Sequence, residues 1–375
     1  MIYKNFQGKK ISALGLGAMR LPVVDGNDSL IDVDASTEMG AYAMEQGINY
    51  YDTAWGYHGG NSELVMGEIL KQYPRDSFYL ASKFPGYDLG NMGKVEEIFE
   101  KQLEKCQTPY FDFYLFHNVC ELNIDGYLDE KNGIFDYLMK QKKNGRIKHL
   151  GFSTHGTLET MERFLKVYGK DMEFCQIQIN WLDYHFQNAK NKVEMLKEYN
   201  IPVWVMEPIR GGKLAKVTAE QETVLKQYRD ETPVEWAFHF LQAIPEITVT
   251  LSGMSNFEQL QQNIATYSEE KPLTETEMKV LLDFADEMTS EKILPCTACK
   301  YCITHCPKEM NIPYLIELYN EHIYSDGGFI APMAMGAVPA DKQPAACVGC
   351  RSCEQVCPQQ IKISEMMRDF VEKLG

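Results

Sequence analysis

Two short segments near the C-terminus carry a repeated spacing of cysteines. Residues 296–307 are CTACKYCITHCP and residues 347–358 are CVGCRSCEQVCP, so both follow Cys-x2-Cys-x2-Cys-x3-Cys-Pro. Thiolates at this spacing can reach neighbouring irons of one 4Fe–4S cube, because a tight turn presents several sulfurs together. Two complete copies predict two 4Fe–4S clusters, whose ligands are Cys296, Cys299, Cys302, Cys306, Cys347, Cys350, Cys353 and Cys357.

The fourth cysteine of such a run serves the cluster of the other run in two-cluster proteins. This rule predicts one cluster on Cys296, Cys299, Cys302 and Cys357, and a second on Cys347, Cys350, Cys353 and Cys306. A pair of zinc sites is the alternative, since zinc also binds Cys-x2-Cys. One zinc ion needs only four ligands, however, so the third closely spaced cysteine of each run would have no use.

Four polar residues lie at or just beyond the ends of consecutive predicted strands in the N-terminal half. Asp52 and Tyr57 belong to NYYDTAWGY, Lys83 ends FYLASK, and His117 lies in DFYLFHN. Tyrosine has a pKa near 10, and a neighbouring lysine ammonium lowers it by stabilising the phenolate. An aspartate paired with the lysine keeps it charged, and a histidine can orient a carbonyl oxygen. The set predicts proton donation to a carbonyl group, with Tyr57 as the acid.

Eight short, β-rich apolar segments alternate with segments of 3.6-residue periodicity. The predicted strands span residues 11–21, 49–54, 78–83, 112–118, 147–154, 174–180, 202–208 and 247–253. This alternation argues for parallel βα units, and eight units favour a closed (β/α)8 TIM barrel, which carries its chemistry at the carboxyl ends of the strands. An open doubly wound sheet is the alternative, but GLGAM at 15–19 lacks the third glycine of its fingerprint.

The chain changes character after residue 270. The predicted barrel domain covers residues 1–270, and its helices are predicted over 35–47, 61–73, 94–106, 133–145 and 256–267. A linking helix is expected within 271–290. Residues 291–375 lack strand patterns and predict a small, mainly helical two-cluster iron–sulfur domain. A helix is expected over 312–323, whereas the Gly-, Pro- and Ala-rich segment 324–346 is expected to be a loop or connector.

Composition narrows the class of protein. The chain has 375 residues, of which 45% are hydrophobic and 24% charged, as in globular domains. A net charge of −16 disfavours nucleic acid as a partner, and no apolar run reaches the ~20 residues that cross a bilayer. The N-terminal segment lacks the apolar core of a secretory signal, so we expect a cytoplasmic protein without a membrane partner. The isolated cysteines, Cys106, Cys120 and Cys175, are expected to be structural.

The segments DTAWGY, SK and LFH, in this order and with these gaps, resemble motifs of the aldo-keto reductase family over roughly residues 1–270. The resemblance implies a barrel that reduces a small carbonyl compound, or oxidises an alcohol, with a nicotinamide cofactor. It also implies a catalytic tetrad of Asp52, Tyr57, Lys83 and His117, with Tyr57 as general acid/base. The C-terminal part is similar to dicluster ferredoxin-type domains, and the whole resembles a group in which such a domain follows the reductase barrel.

The resemblance further implies a cofactor pocket, with some departures from the family pattern. Its residues would be Ser153, Gln176, Met206, Gly211, Gly253, Ser255, Gln259 and Asn263. Thr154 replaces the asparagine that helps to hold the nicotinamide amide, and Met206 stands where the family stacks a tyrosine on the ring. Ser255 takes the place of the cation that clamps the 2′-phosphate of NADP.

These departures leave the cofactor open. Losing a charge-assisted phosphate contact costs roughly 1.5–3 kcal/mol, so NADP, NAD or a different cofactor is compatible with the sequence. A nicotinamide gives two electrons as hydride while each cluster takes one, which makes a flavin in the barrel mouth a further hypothesis. On that hypothesis the chain is an electron-transfer module for an external electron carrier. Candidate walls of the substrate pocket are Trp55, Trp181 and Tyr184.

Overall fold

The chain divides into two units. The computed structural model describes residues 1–290, 293–296 and 298–374. The units are Met1–Leu282 and Asp283–Gly375, and the boundary falls inside helix Glu275–Ser290. Among the described helices, none is long and apolar enough to cross a membrane.

The first unit contains ten strands. They are Tyr3–Phe6 (β1), Lys9–Ser12 (β2), Leu14–Gly17 (β3), Tyr50–Asp52 (β4), Tyr79–Phe84 (β5), Phe111–Val119 (β6), Ile147–Thr154 (β7), Cys175–Gln178 (β8), Val203–Met206 (β9) and Ile247–Ser252 (β10). Strands β3 to β10 pair in parallel in chain order, and β10 pairs with β3 to close the barrel. The predicted TIM barrel is confirmed.

The segment 11–21, predicted as one strand, differs from the structure. Its first two residues end β2, which pairs antiparallel with β1, and only β3 belongs to the barrel. The hairpin of β1 and β2 was not predicted, because two four-residue strands give too few alternating positions for a pattern. Phe6 of this hairpin is buried against Trp204, with the ring centroids 5.2 Å apart, so the hairpin covers the amino-terminal end of the barrel.

Twelve α-helices begin in the first unit. They are Val33–Glu45 (α1), Ser62–Leu70 (α2), Val95–Lys105 (α3), Ile124–Leu128 (α4), Ile134–Lys143 (α5), Leu158–Tyr168 (α6), Asp183–Phe186 (α7), Ala189–Glu198 (α8), Ala219–Leu225 (α9), Pro233–Gln242 (α10), Phe257–Thr266 (α11) and Glu275–Ser290 (α12). The sequence sets several boundaries through caps. At α10, for example, Thr232 and Glu235 form a capping box around Pro233, whose missing N–H costs nothing in the first turn.

The second unit is helical in its described residues. It contains Ile312–Ser325 (α13), Ile330–Met335 (α14), Ser352–Gln355 (α15) and Ile363–Leu374 (α16). The predicted helix over 312–323 is present as α13, whereas the expected connector 324–346 contains α14. The Gly, Pro and Ala content that suggested a loop instead allows close packing, because Ala331 is fully buried in a core with Ile316, Met367 and Phe370.

Candidate functional sites

Three of the four predicted catalytic residues lie near the carboxyl ends of adjacent barrel strands. Asp52 is the last residue of β4, Lys83 is the penultimate residue of β5, and His117 lies two residues before the end of β6. Neighbouring parallel strands bring these ends to one sector of the barrel mouth. Tyr57 follows β4 and begins the turn Tyr57–Gly60, which leads into α2.

The ammonium group of Lys83 contacts two other members of this set, Asp52 and Tyr57. Its Nζ donates to Asp52 Oδ1 at 2.6 Å, to the carbonyl of Thr53 at 2.9 Å and to Tyr57 Oη at 3.4 Å. The side chains of Lys83 and Asp52 are 0% and 3% exposed. A charge buried this deeply requires a partner, and the pair at 2.6 Å provides one.

Burial dominates the protonation of the site. It raises the pKa of Tyr57 above its usual value, and this outweighs the lowering by Lys83 that the sequence predicts. Burial, followed by Lys83 and His155, lowers the pKa of His117 well below its usual range. Burial alone would lower the pKa of Lys83, but Asp52 and Tyr57 more than reverse this. At neutral pH the site therefore holds a protonated phenol, a neutral imidazole and an ammonium group.

A β-bulge directs His117 into the mouth. The pairing of β6 with β7 shifts register around His117, and Asn118 has a left-handed φ of 54°. Hydrogen bonds hold this distortion: Tyr127 Oη donates to the carbonyl of His117 at 2.8 Å, and the Asn118 N–H donates to Ser153 Oγ at 2.8 Å. Bulges commonly re-aim a side chain next to a functional site. The predicted cofactor residue Ser153 thus also supports the strand that carries His117.

The residues predicted to hold the nicotinamide, Ser153, Gln176 and Met206, lie on β7, β8 and β9. Gln176 Nε2 lies 3.8 Å from the sulfur of Met206, and Gln176 Oε1 is buried without a hydrogen-bond partner among the described residues. An unsatisfied buried oxygen can accept from a ligand amide. Thr154 has a different role, since its hydroxyl donates to the carbonyl of Val119 at 2.6 Å and accepts from the Gly156 N–H at 3.0 Å.

The other predicted cofactor residues lie in the loops after β9 and β10 and in α11. Gly211 has a φ of 63°, a backbone conformation that is strained for any residue with a side chain. Gln259 accepts from the N–H of Ser255 at 2.8 Å, and so orders the loop at the start of α11. Asn263 is buried and donates to the hydroxyl of Ser252 at 3.1 Å, which ties α11 to β10.

Arg20 is a residue of this region that the sequence reasoning missed. A Cβ at Gly253 would lie 2.9 Å from Arg20 Cβ, and Ser255 Oγ donates to the Arg20 carbonyl at 3.0 Å. Its guanidinium lies 3.8 Å from Glu207 and is half exposed. The backbone of Arg20 therefore lies beside Ser255, whereas its guanidinium lies near Glu207 and Gly211 in the loop after β9. The feature of the sequence that could have indicated Arg20 is its position just beyond the carboxyl end of β3.

The candidate substrate-pocket residues make packing contacts. Trp181 is 1% exposed, and Tyr184 lies edge-on to Phe240, with 5.3 Å between the ring centroids. The ring of Trp55 lies 4.2 Å from Lys105 Nζ. Their role in substrate binding stays a prediction.

The eight clustered cysteines surround two cavities in the second unit. Cys296, Cys299, Cys302 and Cys357 line one open cavity. Cys306, Cys347, Cys350 and Cys353 line a second. Each cavity therefore takes three cysteines from one run and the fourth from the other. In the described part of the chain these side chains do not converge on a single-ion site, and each set of four surrounds an open volume instead.

The three isolated cysteines lie elsewhere, in the first unit. Cys106, Cys120 and Cys175 are all buried, and none of them forms a disulfide. Burial raises the pKa of each thiol, to about 11 for Cys120. They are therefore protonated at neutral pH and packed as small apolar side chains.

The closed barrel with its polar residues at the carboxyl ends of the strands places the first unit among TIM-barrel proteins with a candidate active site at the barrel mouth. The profile of the aldo/keto reductase family matches residues 13–285, and that of 4Fe–4S dicluster domains matches residues 295–362. The chain belongs to the aldo/keto reductase family and carries an additional iron–sulfur domain.

Relatives and solved structures agree with this assignment. The chain is 25% identical over 301 residues to an uncharacterized oxidoreductase of Bacillus subtilis, covering 72% of this chain and 92% of the relative. It is 24% identical to the NADH-specific methylglyoxal reductase of Escherichia coli, covering 68% and 89%. An aldo-keto reductase from Klebsiella pneumoniae, solved in complex with NADPH, superposes with a TM-score of 0.58 at 20% identity, covering 76% and 96%.

Proposed function

We propose that the barrel reduces a small carbonyl compound with NADPH or NADH, and that Tyr57 is the proton donor. The observation that carries this proposal is the buried contact of Lys83 with both Asp52 and Tyr57. A protonated phenol beside a fixed ammonium group is suited to give its proton to an oxygen that gains charge. Neutral His117, on the adjacent strand, can orient the carbonyl oxygen by a hydrogen bond.

The proton moves from Tyr57 Oη to the carbonyl oxygen of the substrate. The phenolate left behind is stabilised by Lys83 Nζ, while Asp52 keeps that nitrogen charged and in place. A bound nicotinamide would supply the hydride for the carbonyl carbon. Tyr57 is reprotonated from solvent after the alcohol leaves, so the residue is regenerated in each cycle.

Several side chains are suited to hold the cofactor. Gln176 Oε1 lacks a partner and is available to the nicotinamide amide, and Met206 beside it can pack on the flat ring. Gly211 and Gly253 let the Arg20 side chain pack directly against the backbone of both loops. The guanidinium of Arg20 adds a positive charge near Gly211, so the missing cation at position 255 does not by itself exclude NADPH.

The second unit is proposed to bind two 4Fe–4S clusters, one in each cysteine-lined cavity. Each cavity offers four thiolates from two runs, as two-cluster domains require. Bound clusters would carry single electrons, which makes an external electron carrier a plausible partner. The flavin hypothesis gains no support from the relatives and stays a prediction.

The test is reduction of methylglyoxal and of 4-nitrobenzaldehyde by NADPH and by NADH, with the purified full chain carrying its clusters. Tyr57→Phe is expected to lower kcat by about 10²–10⁴-fold, the usual contribution of a general acid. Tyr79→Phe, at the opposite end of a barrel strand, is the matched control and should keep normal turnover. Absence of turnover with both probes, or full activity of Tyr57→Phe, would overturn the proposal.

A further inference from the structure

The imidazole of His117 lies between two tyrosine rings. The ring of Tyr57 is 6.0 Å from it between centroids, at an interplanar angle of 83°. The ring of Tyr87, which follows β5 in the segment FPGYD, is 5.1 Å from it at 88°. Both contacts are edge-to-face, a favourable geometry for aromatic pairs. Tyr87 is the nearer of the two, and the proposed proton transfer gives it no role.

Among the described residues, no hydrogen bond to Nδ1 fixes the plane of this imidazole. Nδ1 of His117 is buried and has no hydrogen-bond partner among the described residues. In many catalytic sites a carboxylate or carbonyl holds the second nitrogen of a histidine and so sets the direction of the first. The contacts with the two rings restrain rotation about the Cβ–Cγ bond.

Tyr87 is itself held against the loop that carries Tyr57. A Cβ added at Gly56 would overlap the Tyr87 hydroxyl, whereas the next nearest atom, Tyr87 Cζ, would be 3.5 Å away. Gly56 has φ −94° and ψ −4°, a conformation open to any residue, so the requirement at this position is space. Tyr87 thus touches Gly56 through its hydroxyl and His117 through its ring.

We propose that Tyr87 is a positioning residue whose ring sets the orientation of the His117 imidazole toward the substrate carbonyl. The inference rests on the proposed function, because it concerns the group that would orient the carbonyl. The ring is the essential part, and the hydroxyl matters only through its contact with Gly56. Loss of the ring should slow the reaction more than it weakens substrate binding.

The first experiment compares Tyr87→Leu with Tyr87→Phe, using whichever of methylglyoxal and 4-nitrobenzaldehyde the chain reduces faster. Tyr87→Leu should lower kcat about tenfold with little change in KM, while Tyr87→Phe keeps the ring and stays within about twofold. In a His117→Ala background, Tyr87→Leu should change kcat by less than about twofold, since the residue through which it acts is gone. Equal losses in both backgrounds would overturn the inference.

The second experiment uses the contact with Gly56. Gly56→Ala should lower kcat by displacing the Tyr87 ring, and Gly56→Ala combined with Tyr87→Phe should restore it, because removing the hydroxyl leaves an ordinary 3.5 Å contact. If the double variant is as slow as Gly56→Ala, the inference fails. The Tyr57→Phe variant distinguishes failure of the proposed function from failure of this inference. If Tyr57→Phe stays active, the proposed function fails. If Tyr57→Phe is inactive and the Tyr87 results are negative, only this inference fails.

Discussion

Replacing Lys83 by methionine tests the charge at the centre of the site. Methionine keeps a similar length but removes the ammonium group that lies 2.6 Å from Asp52 and 3.4 Å from Tyr57. Two effects are expected, one on the rate and one on the free energy of unfolding. They can be separated because they act through different partners.

The effect on the rate follows from the distance to Tyr57. Unit charges 3.4 Å apart interact by about 5 kcal/mol at an effective dielectric constant of about 20. If about half of the phenolate charge has developed in the transition state, the barrier rises by about 2.5 kcal/mol, which is roughly 10²-fold in kcat. The expected result is thus a kcat near 1% of the normal value, measured with the carbonyl probe.

The effect on stability follows from Asp52. Removing one partner of a buried ion pair costs about 3–5 kcal/mol, because the remaining carboxylate is left without compensation. Urea unfolding followed by tryptophan fluorescence measures this cost in the first unit alone, since Trp55, Trp181, Trp204 and Trp236 all lie there. Asp52→Asn combined with Lys83→Met should be at least ~1 kcal/mol more stable than Lys83→Met, because no buried charge remains.

The control is Lys142→Met, which breaks a lysine–glutamate pair with Glu173 at the other end of the barrel. It should lower stability without changing kcat. Two results would refute the reasoning: a folded Lys83→Met with kcat within about threefold of normal, or a double variant less stable than Lys83→Met.

Three further predictions concern pH, the clusters and the barrel base. Burial raises the pKa of Tyr57 and lowers that of His117. We therefore expect kcat/KM for reduction to be constant between about pH 6.5 and 9.5 and to fall only as Tyr57 loses its proton. A change in kcat/KM near pH 6.5 that disappears in His117→Ala would contradict this. The double variant Cys302→Ser, Cys357→Ser alters one cavity and should keep about four irons per chain. The double variant Cys302→Ser, Cys306→Ser alters both cavities and should keep almost none. Similar iron contents would refute the prediction that each cluster takes its fourth cysteine from the other run. Hydrogen bonds from His149, Lys142 and Gln7 overcome the effect of burial and lower the pKa of Glu173 to about 2. The ionised carboxylate therefore adds at most about 3 kcal/mol to the free energy of unfolding. This contribution is complete above about pH 4.3 and is lost toward pH 2. The difference in unfolding free energy between the normal chain and Glu173→Gln should shrink over that range, and a difference independent of pH would exclude the mechanism. Exposed Glu45→Gln is the control.

The fold could be predicted because its signals are local. Each barrel strand is a short apolar segment between helical patterns, and eight repeats leave few architectures. The β1–β2 hairpin was not predicted because it is stabilised by packing of Phe6 on Trp204, a residue nearly 200 positions away in the sequence. Helix α14 escaped for a similar reason, since burial of Ala331 against α13 outweighs the weak local preference of its segment.

The candidate site could be predicted as a set of residues, but not in its electrostatics. Strand ends located Asp52, Lys83 and His117, and their meeting at one sector follows from parallel pairing. The direction of the Tyr57 pKa did not follow, because it depends on whether burial or Lys83 has the larger effect. Arg20 was missed since its relevance comes from its contacts with the loops after β9 and β10.

Gly56 shows why some requirements of the site are invisible in the sequence. A glycine before the tyrosine of DTAWGY suggests backbone freedom, yet its φ of −94° is available to every residue. What forbids a side chain is the Tyr87 hydroxyl, which comes from the next strand's loop. The same ring lies against His117, which a bulge in β6 turns into the mouth. The loops after β4 and β5 therefore contact each other and the His117 ring of β6, and we expect a change in either loop to alter the orientation of that ring.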